Sequence, residues 1–149
     1  MEQLKIMLVD DEERFLATTK KLLAKKGHDI LTATSGSEAL NILKTKKVHV
    51  VILDVKMPGM NGLATLRQIK KLYPMVEVIM LTGHATGETA VDVLNAGATD
   101  CLMKPVDIDD LVQKVEEASE KRQGLEAKIR AAQTGSTVKP PRSISGETR

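Results

Sequence analysis

The stretch Val50-Val51-Ile52-Leu53-Asp54 decides the fold, because it is a wholly apolar segment that ends in one carboxylate. An unbroken apolar run of this length is typical of a parallel strand that is covered on both faces. Three other apolar segments also end in polar groups: residues 4–9 end at Asp10-Asp11, residues 78–81 at Thr82, and residues 101–103 at Lys104-Pro105. The sequence therefore predicts a buried sheet with a polar group after each of these strands.

These polar groups should lie close together, because the carboxyl ends of the strands in an open parallel sheet share one edge, where ligands bind. Asp10, Asp11 and Asp54 would bring three carboxylates to that edge. Neighbouring carboxylates repel one another unless a cation offsets their charge. Hard divalent cations prefer oxygen ligands. The sequence therefore predicts a site for a divalent cation at this edge.

Helical patterns separate the strands along the chain. We expect strands at residues 4–9, 29–33, 48–53, 77–81 and 99–103, and helices at residues 12–26, from 35 onward, at 62–72, at about 87–97 and from 107 onward. On the first helix, Phe15, Thr19, Leu22 and Leu23 share one predicted face. Strands that alternate with helices predict an α/β fold, a doubly wound parallel sheet with helices on both faces. Periodicity alone leaves the strand order open.

Five short motifs resemble those of the receiver domain of two-component response regulators, in order and in spacing. They are Asp10-Asp11, Leu53-Asp54 with the following segment 57–62, Leu81-Thr82-Gly83, Ala96-Gly97-Ala98 and Lys104-Pro105. Each motif alone is common, but the five together are specific. The resemblance covers residues 4 to about 120 and is to single-domain members of the chemotaxis-regulator type. It implies a flavodoxin-like, five-stranded sheet with the strand order 2-1-3-4-5.

The resemblance implies that Asp54 accepts a phosphoryl group and that a metal ion lies beside it. Asp11 would bind the metal directly and Asp10 through a water molecule, while Asp54 itself and the backbone carbonyl of Lys56 would complete the protein ligands. The expected metal is Mg²⁺, for which Mn²⁺ could substitute. Mg²⁺ usually keeps several waters and takes few carboxylates, which suits an open acidic site.

The resemblance also gives roles to Thr82 and Lys104, whose side chains would bind oxygens of the phosphoryl group. It implies a cis peptide bond between Lys104 and Pro105. Lys56 and His84 occupy positions that would control the lifetime of the phosphoryl group, although the residues alone favour an exposed loop histidine at His84. The departure from the family pattern is Cys101, where most members have Tyr or Phe. An inert, half-buried strand cysteine is the expectation, with a redox-sensing thiol as the alternative.

Composition excludes several classes of protein. The chain of 149 residues has one cysteine, so it cannot form an internal disulfide and nothing indicates an oxidising compartment. No segment is apolar enough to span a bilayer, and we expect a cytoplasmic protein without membrane contact. Aromatic residues make up 1%, and the net charge is +2. Neither value favours nucleic acid as a partner, because base-stacking side chains and a basic excess are missing.

The last helix is expected to run beyond the length that the domain requires. We predict a receiver domain at residues 1–121, a helical extension at 122–132 and a disordered tail at 133–149, whose composition is typical of turns and linkers. One register joins Ile108, Leu111, Val115, Ala118, Leu125, Ile129 and Ala132, and only Arg122 breaks it. The extension is either a solvated, fraying end or a surface that packs against a second copy or another partner.

The function expected from the sequence is that of a response regulator, a signalling domain rather than an enzyme. A sensor histidine kinase or a histidine phosphotransfer protein would phosphorylate Asp54, and the output would be binding to a downstream protein target. One alternative is a receiver fragment of a longer DNA-binding transcriptional regulator. A phosphatase with an aspartate nucleophile is a third candidate, but it would need a second Asp where this chain has Lys56.

Overall fold

The computed structural model describes residues 3–56, 61–83 and 87–133. Strands and helices alternate along the chain: β1 Lys5–Val9, α1 Glu13–Ala24, β2 Asp29–Ala33, α2 Gly36–Thr45, β3 Val50–Asp54, α3 Gly62–Leu72, β4 Glu77–Thr82, α4 Gly87–Asn95, β5 Asp100–Met103 and α5 Ile108–Gln133. The predicted ends differ from these bounds by about two residues at most. The predicted loop 57–60, His84 and residues 134–149 of the predicted tail lie outside the described residues.

The five strands form one parallel sheet in the order β2-β1-β3-β4-β5. The predicted α/β fold and its strand order are therefore confirmed. Strand β3 lies at the centre and pairs with β1 on one side and β4 on the other. In that register Leu8 is opposite Ile52, and Asp54 is opposite Leu81. Strand β3 is thus flanked by β1 and β4, each of which also pairs with a further strand on its other side.

Each central strand contributes alternate side chains to two separate hydrophobic cores. One core contains Met7, Val9, Val51 and Leu53 and includes residues of α2, α3 and α4. The other contains the alternate residues of the same strands, namely Ile6, Leu8, Val50 and Ile52, with residues of α1 and α5. Because both faces are covered, the strands need apolar residues at every position, which is the pattern that the sequence shows.

The face that helix α1 buries differs from the predicted one. Leu16, Thr19 and Leu23 are its buried residues, whereas Phe15 and Leu22 are only half-buried. The predicted face was therefore displaced by part of a turn. Phe15 and Leu22 instead line a groove between α1 and the segment from Lys104 to α5. This displacement leaves an aromatic side chain beside the carboxyl edge of the sheet.

Helix α5 is one continuous helix of 26 residues. Arg122, which seemed to break its apolar register, is itself buried, and its guanidinium pairs with Glu126 at 2.9 Å. Nearby, the buried Glu77 accepts a hydrogen bond from the Thr99 hydroxyl at 2.5 Å and lies 3.6 Å from the Lys121 ammonium. Of these contacts, the pair between Lys121 and Glu77 joins α5 to the amino end of β4. Within the described residues, no helix has the length and apolar character of a membrane span.

Two buried histidines hold the amino end of β1. The Nδ1 atom of His28 accepts a hydrogen bond from the backbone N–H of Leu4 at 3.2 Å, and the Nδ1 atom of His49 accepts one from Lys5 at 2.9 Å. The Nε2 atom of His28 is buried without a hydrogen-bond partner. Burial lowers the pKa of His28, although the charge of Glu116 works in the opposite direction. The hydrogen bond from Leu4 needs an Nδ1 atom without a proton, and burial favours that neutral form of His28.

We expect His28 to make the fold sensitive to acid. Because its pKa is lower in the folded protein than in the unfolded chain, its contribution to stability is complete above about pH 6.5 and is lost as the pH falls below that value. A protonated Nδ1 atom could no longer accept the hydrogen bond from Leu4. The His28→Asn variant keeps an acceptor oxygen but cannot titrate in this range. Its midpoint of urea unfolding should fall less between pH 7 and pH 5 than that of the wild type, and equal decreases would contradict the assignment.

Candidate phosphoacceptor and metal site

Three aspartates meet at the carboxyl edge of the sheet. Asp10 follows β1, Asp11 comes next in the chain, and Asp54 ends β3. One carboxylate oxygen from each lies within 4.8 Å of the others. Asp10 and Asp54 are buried, with exposed fractions of 1% and 8%, whereas Asp11 is exposed. The topology therefore brings together side chains that are 44 positions apart in sequence.

Lys104 supplies the cation nearest to these carboxylates. Its Nζ atom is 2.5 Å from the Oδ2 atom of Asp10, 3.8 Å from that of Asp54 and 3.4 Å from a carboxylate oxygen of Glu12. The Lys104–Pro105 peptide bond is cis, as the sequence resemblance predicted. The backbone N–H of Lys104 also donates to the carbonyl of Thr82 at 2.8 Å. Lys104 is therefore joined to both the sheet and the acidic cluster.

The electrostatics of the site are those of crowded like charges. Burial raises the pKa of Asp54, and the neighbouring charge of Asp10 raises it further, while Lys104 and the backbone N–H of Lys56 act in the opposite direction. Burial alone would lower the pKa of Lys104, but its hydrogen bond and charge interaction with Asp10, together with Asp54, raise it overall. The site thus holds more negative charge than its one ammonium group can offset.

This donor set fits a hard divalent cation. The oxygens of Asp10, Asp11 and Asp54 lie close enough to contact one ion, and Asp11 opens the cluster to solvent. Among the described residues, no sulfur or imidazole ligand belongs to this cluster, and an oxygen-only donor set favours Mg²⁺ or Mn²⁺ over softer metals. An added cation would also relieve the repulsion that raises the pKa of Asp54.

The remaining predicted residues lie at the same edge. Thr82 ends β4 and is buried. The backbone N–H of Lys56 donates to the Oδ1 atom of Asp54 at 3.3 Å, so Lys56 lies beside this carboxylate. The side chain of Lys56 is exposed. All of the residues singled out as phosphoryl or metal ligands are therefore brought to one place.

Gly62 closes the segment that follows Asp54. Its backbone N–H donates to the carbonyl of Val55 at 2.8 Å. A Cβ atom at this position would lie 2.2 Å from the backbone carbonyl oxygen of Asp54 and 2.7 Å from the Cα and carbonyl oxygen of Val55. Asn61, just before it, caps α3 through its side-chain oxygen. Glycine is therefore required here because two pieces of backbone approach closely.

The sequence analysis missed two residues near Lys104. Glu12 is the third carboxylate within 4 Å of the Lys104 ammonium, after Asp10 and Asp54. The Phe15 ring lies beneath the ammonium, with 4.4 Å between Nζ and the ring centroid. A cation over an aromatic face gains about 0.5–1 kcal/mol at an exposed site. The signals were the acidic residue directly after Asp10-Asp11 and the aromatic residue one turn later. Their meaning depended on Lys104, which lies far away in sequence.

Cys101 lies in β5, half-buried, where it packs against the core that contains Val51. Burial raises the pKa of its thiol, and the charge of Asp100 raises it further. A raised pKa lowers the thiolate fraction, which is the reactive form. This agrees with the expectation of an inert strand cysteine.

The chain is similar in sequence to curated transcriptional regulators. It is 34% identical over 143 residues to the transcriptional regulatory protein ZraR of Escherichia coli K12, which covers 94% of this chain and 32% of ZraR. It is 41% identical over 111 residues to the DNA-binding transcriptional regulator NtrC of Klebsiella pneumoniae, covering 74% of this chain and 24% of NtrC. The chain therefore spans about a third of one relative and about a quarter of the other.

Solved structures show the same fold. A CheY-like response regulator receiver domain protein from Methanospirillum hungatei JF-1 matches with a TM-score of 0.79 and 33% identity, covering 83% of this chain and 98% of that one. NtrX from Brucella abortus, in complex with ADP, matches with a TM-score of 0.81 and 32% identity over 88% of this chain and 30% of its own. The family model described as the response regulator receiver domain matches residues 6–116. The chain thus belongs to the response regulator receiver domains of two-component systems.

Proposed function

We propose that this receiver domain accepts a phosphoryl group on Asp54 from a histidine kinase or a histidine phosphotransfer protein. The observation that carries the proposal is the position of Asp54, which ends the central strand within reach of Asp10, Asp11 and Lys104. Phosphorylation and magnesium binding are typical of the family to which the chain belongs. Asp10 shares this burial and lies closer to Lys104, but both of its carboxylate oxygens already accept hydrogen bonds, from the backbone N–H of Glu12 and from Lys104, whereas the Lys104 ammonium lies 3.8 Å from Asp54.

Asp54, Lys104 and Thr82, together with a bound metal ion, would supply the groups that phosphoryl transfer needs. A carboxylate oxygen of Asp54 attacks the phosphorus atom, the bond from phosphorus to the donor nitrogen breaks with its electron pair remaining on that nitrogen, and an acyl phosphate forms. Lys104 neutralises charge on the phosphoryl oxygens, and the hydroxyl of Thr82 binds one of them. Mg²⁺, held by Asp10, Asp11, Asp54 and the carbonyl of Lys56, would supply further charge neutralisation. The domain assists this transfer and the later hydrolysis of the acyl phosphate by water. It has no separate substrate, so we do not class it as an enzyme.

The type of bond formed tests the proposal. The protein should gain one phosphoryl group when it is incubated with acetyl phosphate and MgCl₂, as measured by intact-protein mass spectrometry. Hydroxylamine should remove that group, because it cleaves acyl phosphates, whereas phosphoesters of serine or threonine resist it. A phosphoryl group that survives hydroxylamine would contradict the assignment to a carboxylate.

The metal ligands should not contribute equally. Both carboxylate oxygens of Asp10 are already engaged, one with the backbone N–H of Glu12 at 2.9 Å and the other with Lys104. Asp11 is exposed and available for direct contact. We therefore expect Asp11→Ala to weaken Mg²⁺ binding by tenfold or more, and Asp10→Ala to weaken it less, in calorimetric titrations of protein shown to be folded by circular dichroism. Losses of the same size would contradict the two roles.

We place the docking surface for the donor protein on this chain, beside the site. A groove of about 550 Å³ runs from Lys104 along α1 and the start of α5, and its lining includes Phe15, Leu22, Val106 and Ile108. A phosphorylated histidine must approach Asp54 over this edge of the sheet. Apolar residues at the rim of the site would bind the helix that carries that histidine, and Lys104 lies at the junction between the groove and the acceptor.

The output surface is proposed on the side of α4 and β5. Val91, Leu94 and Met103 are large apolar side chains that are about half exposed on these two elements. Exposed apolar residues that cluster in this way mark surfaces for protein–protein contact. Phosphorylation would change the affinity of this surface for a downstream protein target or for a second copy of the chain.

A second candidate is a receiver unit that belongs to a longer DNA-binding regulator. ZraR and NtrC favour it, because this chain matches only 32% and 24% of their lengths. The length of the natural open reading frame distinguishes the two candidates. The proposed phosphatase alternative lacks its second aspartate, since Lys56 stands in that place. The cytoplasmic location expected from the sequence stays a prediction.

A further inference from the structure

A second cavity lies at the opposite edge of the sheet from Asp54, among the loops that precede β3 and β4. Its volume is about 330 Å³, and its lining includes the apolar groups of Val48, Tyr73 and Val76 and the cations Lys46, Lys47 and Arg122. Among the described residues, no carboxylate lines it. Arg122 is paired with Glu126, so the positive charge at the rim of this apolar cavity comes from Lys46 and Lys47.

Helix α5 continues this apolar surface beyond the sheet. Arg122 is buried on the same face of α5 as Val115 and Ala118. Leu125 and Ile129 follow Arg122 by three and seven residues, so they lie on that face about one and two turns further along the helix. Each is 40% exposed. We call the cavity together with Leu125 and Ile129 the underside.

The charge around the underside is positive. Lys46 and Lys47 are exposed, and the described residues show no ion pair for either. The last turns of the adjacent helices add Lys44, Lys70 and Lys71. Cations are favoured at helix C-termini by the helix dipole, which accounts for part of this cluster. It does not account for an apolar cavity at the centre of the cluster or for the exposed stripe beside it.

We propose that the underside docks an acidic, amphipathic segment of a partner protein. Its apolar side chains would enter the cavity and pack on Leu125 and Ile129, and its carboxylates would lie against Lys46 and Lys47. Such a partner would also stabilise the helical extension, which contains Gly124 and is short enough to be marginal in isolation.

Two other occupants fit the observations less well. The extension of a second copy carries the wrong charge, because residues 121–133 hold four cations, Lys121, Arg122, Lys128 and Arg130, against one carboxylate, Glu126. Nucleic acid would engage the lysines but would gain nothing from Leu125 or Ile129. The surface lacks the row of aromatic side chains on which single-stranded bases stack, with Tyr73 its one aromatic group among the described residues.

The proposal is tested by selecting peptides that bind the full chain from a displayed library of random 16-residue peptides. The enriched peptides should be rich in Asp and Glu, with apolar residues at helical spacing. For an enriched peptide, the Lys46→Glu/Lys47→Glu variant should lower the affinity by tenfold or more, and Ile129→Asp should lower it by several-fold. Raising the NaCl concentration should weaken binding to the wild type.

The matched control is Lys25→Glu/Lys26→Glu, which makes the same change of charge at exposed residues after α1, outside the cavity. This variant should bind the enriched peptide as the wild type does. Equal losses in the two double variants, enrichment of peptides without acidic residues, equally tight binding of a DNA duplex at the underside, or self-association of the chain through Ile129 would each overturn the proposal. All three variants should still take up a phosphoryl group from acetyl phosphate, so this test is independent of the function proposed for Asp54.

Discussion

The Asp54→Asn variant should take up no phosphoryl group from acetyl phosphate and MgCl₂, whereas the wild type should take up one. The amide keeps the shape of the carboxylate but is too weak a nucleophile to attack phosphorus. Intact-protein mass spectrometry measures the result directly. Asp100→Asn is the matched control, because Asp100 is an acidic residue at the amino end of β5, away from the cluster. Labelling of the Asp54→Asn variant to the level of the wild type would show that the acceptor lies elsewhere.

The same variant should be more stable than the wild type at pH 7 when no metal is added. The pKa of Asp54 is raised by burial and by Asp10, so its ionisation costs the folded state free energy. The stability of the wild type should therefore decrease as the pH rises through that pKa, and the asparagine variant should lack this decrease. We expect a gain on the order of 1 kcal/mol in urea unfolding. A variant that is less stable would indicate that Asp54 is needed for the fold itself.

Gly62→Ala should have the largest effect on stability among alanine substitutions at Gly27, Gly62, Gly83, Gly97 and Gly124. The new Cβ atom would lie 2.2 Å from the carbonyl oxygen of Asp54, and the atoms in its way belong to the backbone, which cannot move aside as a side chain can. We expect a loss of about 3 kcal/mol or more in the free energy of unfolding. Because the displaced peptide is that of Asp54, the rate of phosphorylation should also fall in the protein that remains folded.

Gly124→Ala is the matched control for Gly62→Ala. No atom lies within 4 Å of a Cβ atom built at Gly124, which is an exposed position inside helix α5. The same chemical change should raise stability there by about 1 kcal/mol, because alanine favours the helix. Destabilisation of the two variants to a similar degree would show that close backbone approach is not the reason for glycine at position 62.

The positions of Asp10, Asp54 and Lys104 at one edge could be predicted for two reasons. The strands are recognisable in the sequence as apolar runs, and the carboxyl ends of parallel strands lie on one side of the sheet. The strand order could not be derived from periodicity, since the same alternation suits several orders, and it came from the resemblance to a family. The bounds of α3 were predicted without error, and Pro74 lies just beyond its end.

What the sequence did not reveal depends on contacts between distant residues. Phe15 was assigned to the core because an aromatic residue at helical spacing usually packs there, and its place under Lys104 required the structure. The role of His28 and His49 as hydrogen-bond acceptors for β1 was not predicted. Arg122 was taken as an interruption, because a charged residue is rarely buried, but Glu126 one turn later neutralises it.

The ion pair between Lys104 and Asp10 joins residues that are 94 positions apart in the chain. Asp54 leaves the ribosome well before Lys104 does, and β5 can pair with β4 only after that point. The acceptor should therefore be unreactive on the nascent chain and become competent only when the last strand has joined the sheet. Only a chain that has completed its fold would then be phosphorylated. A kinase that needs the assembled site will not act on chains that are still being made.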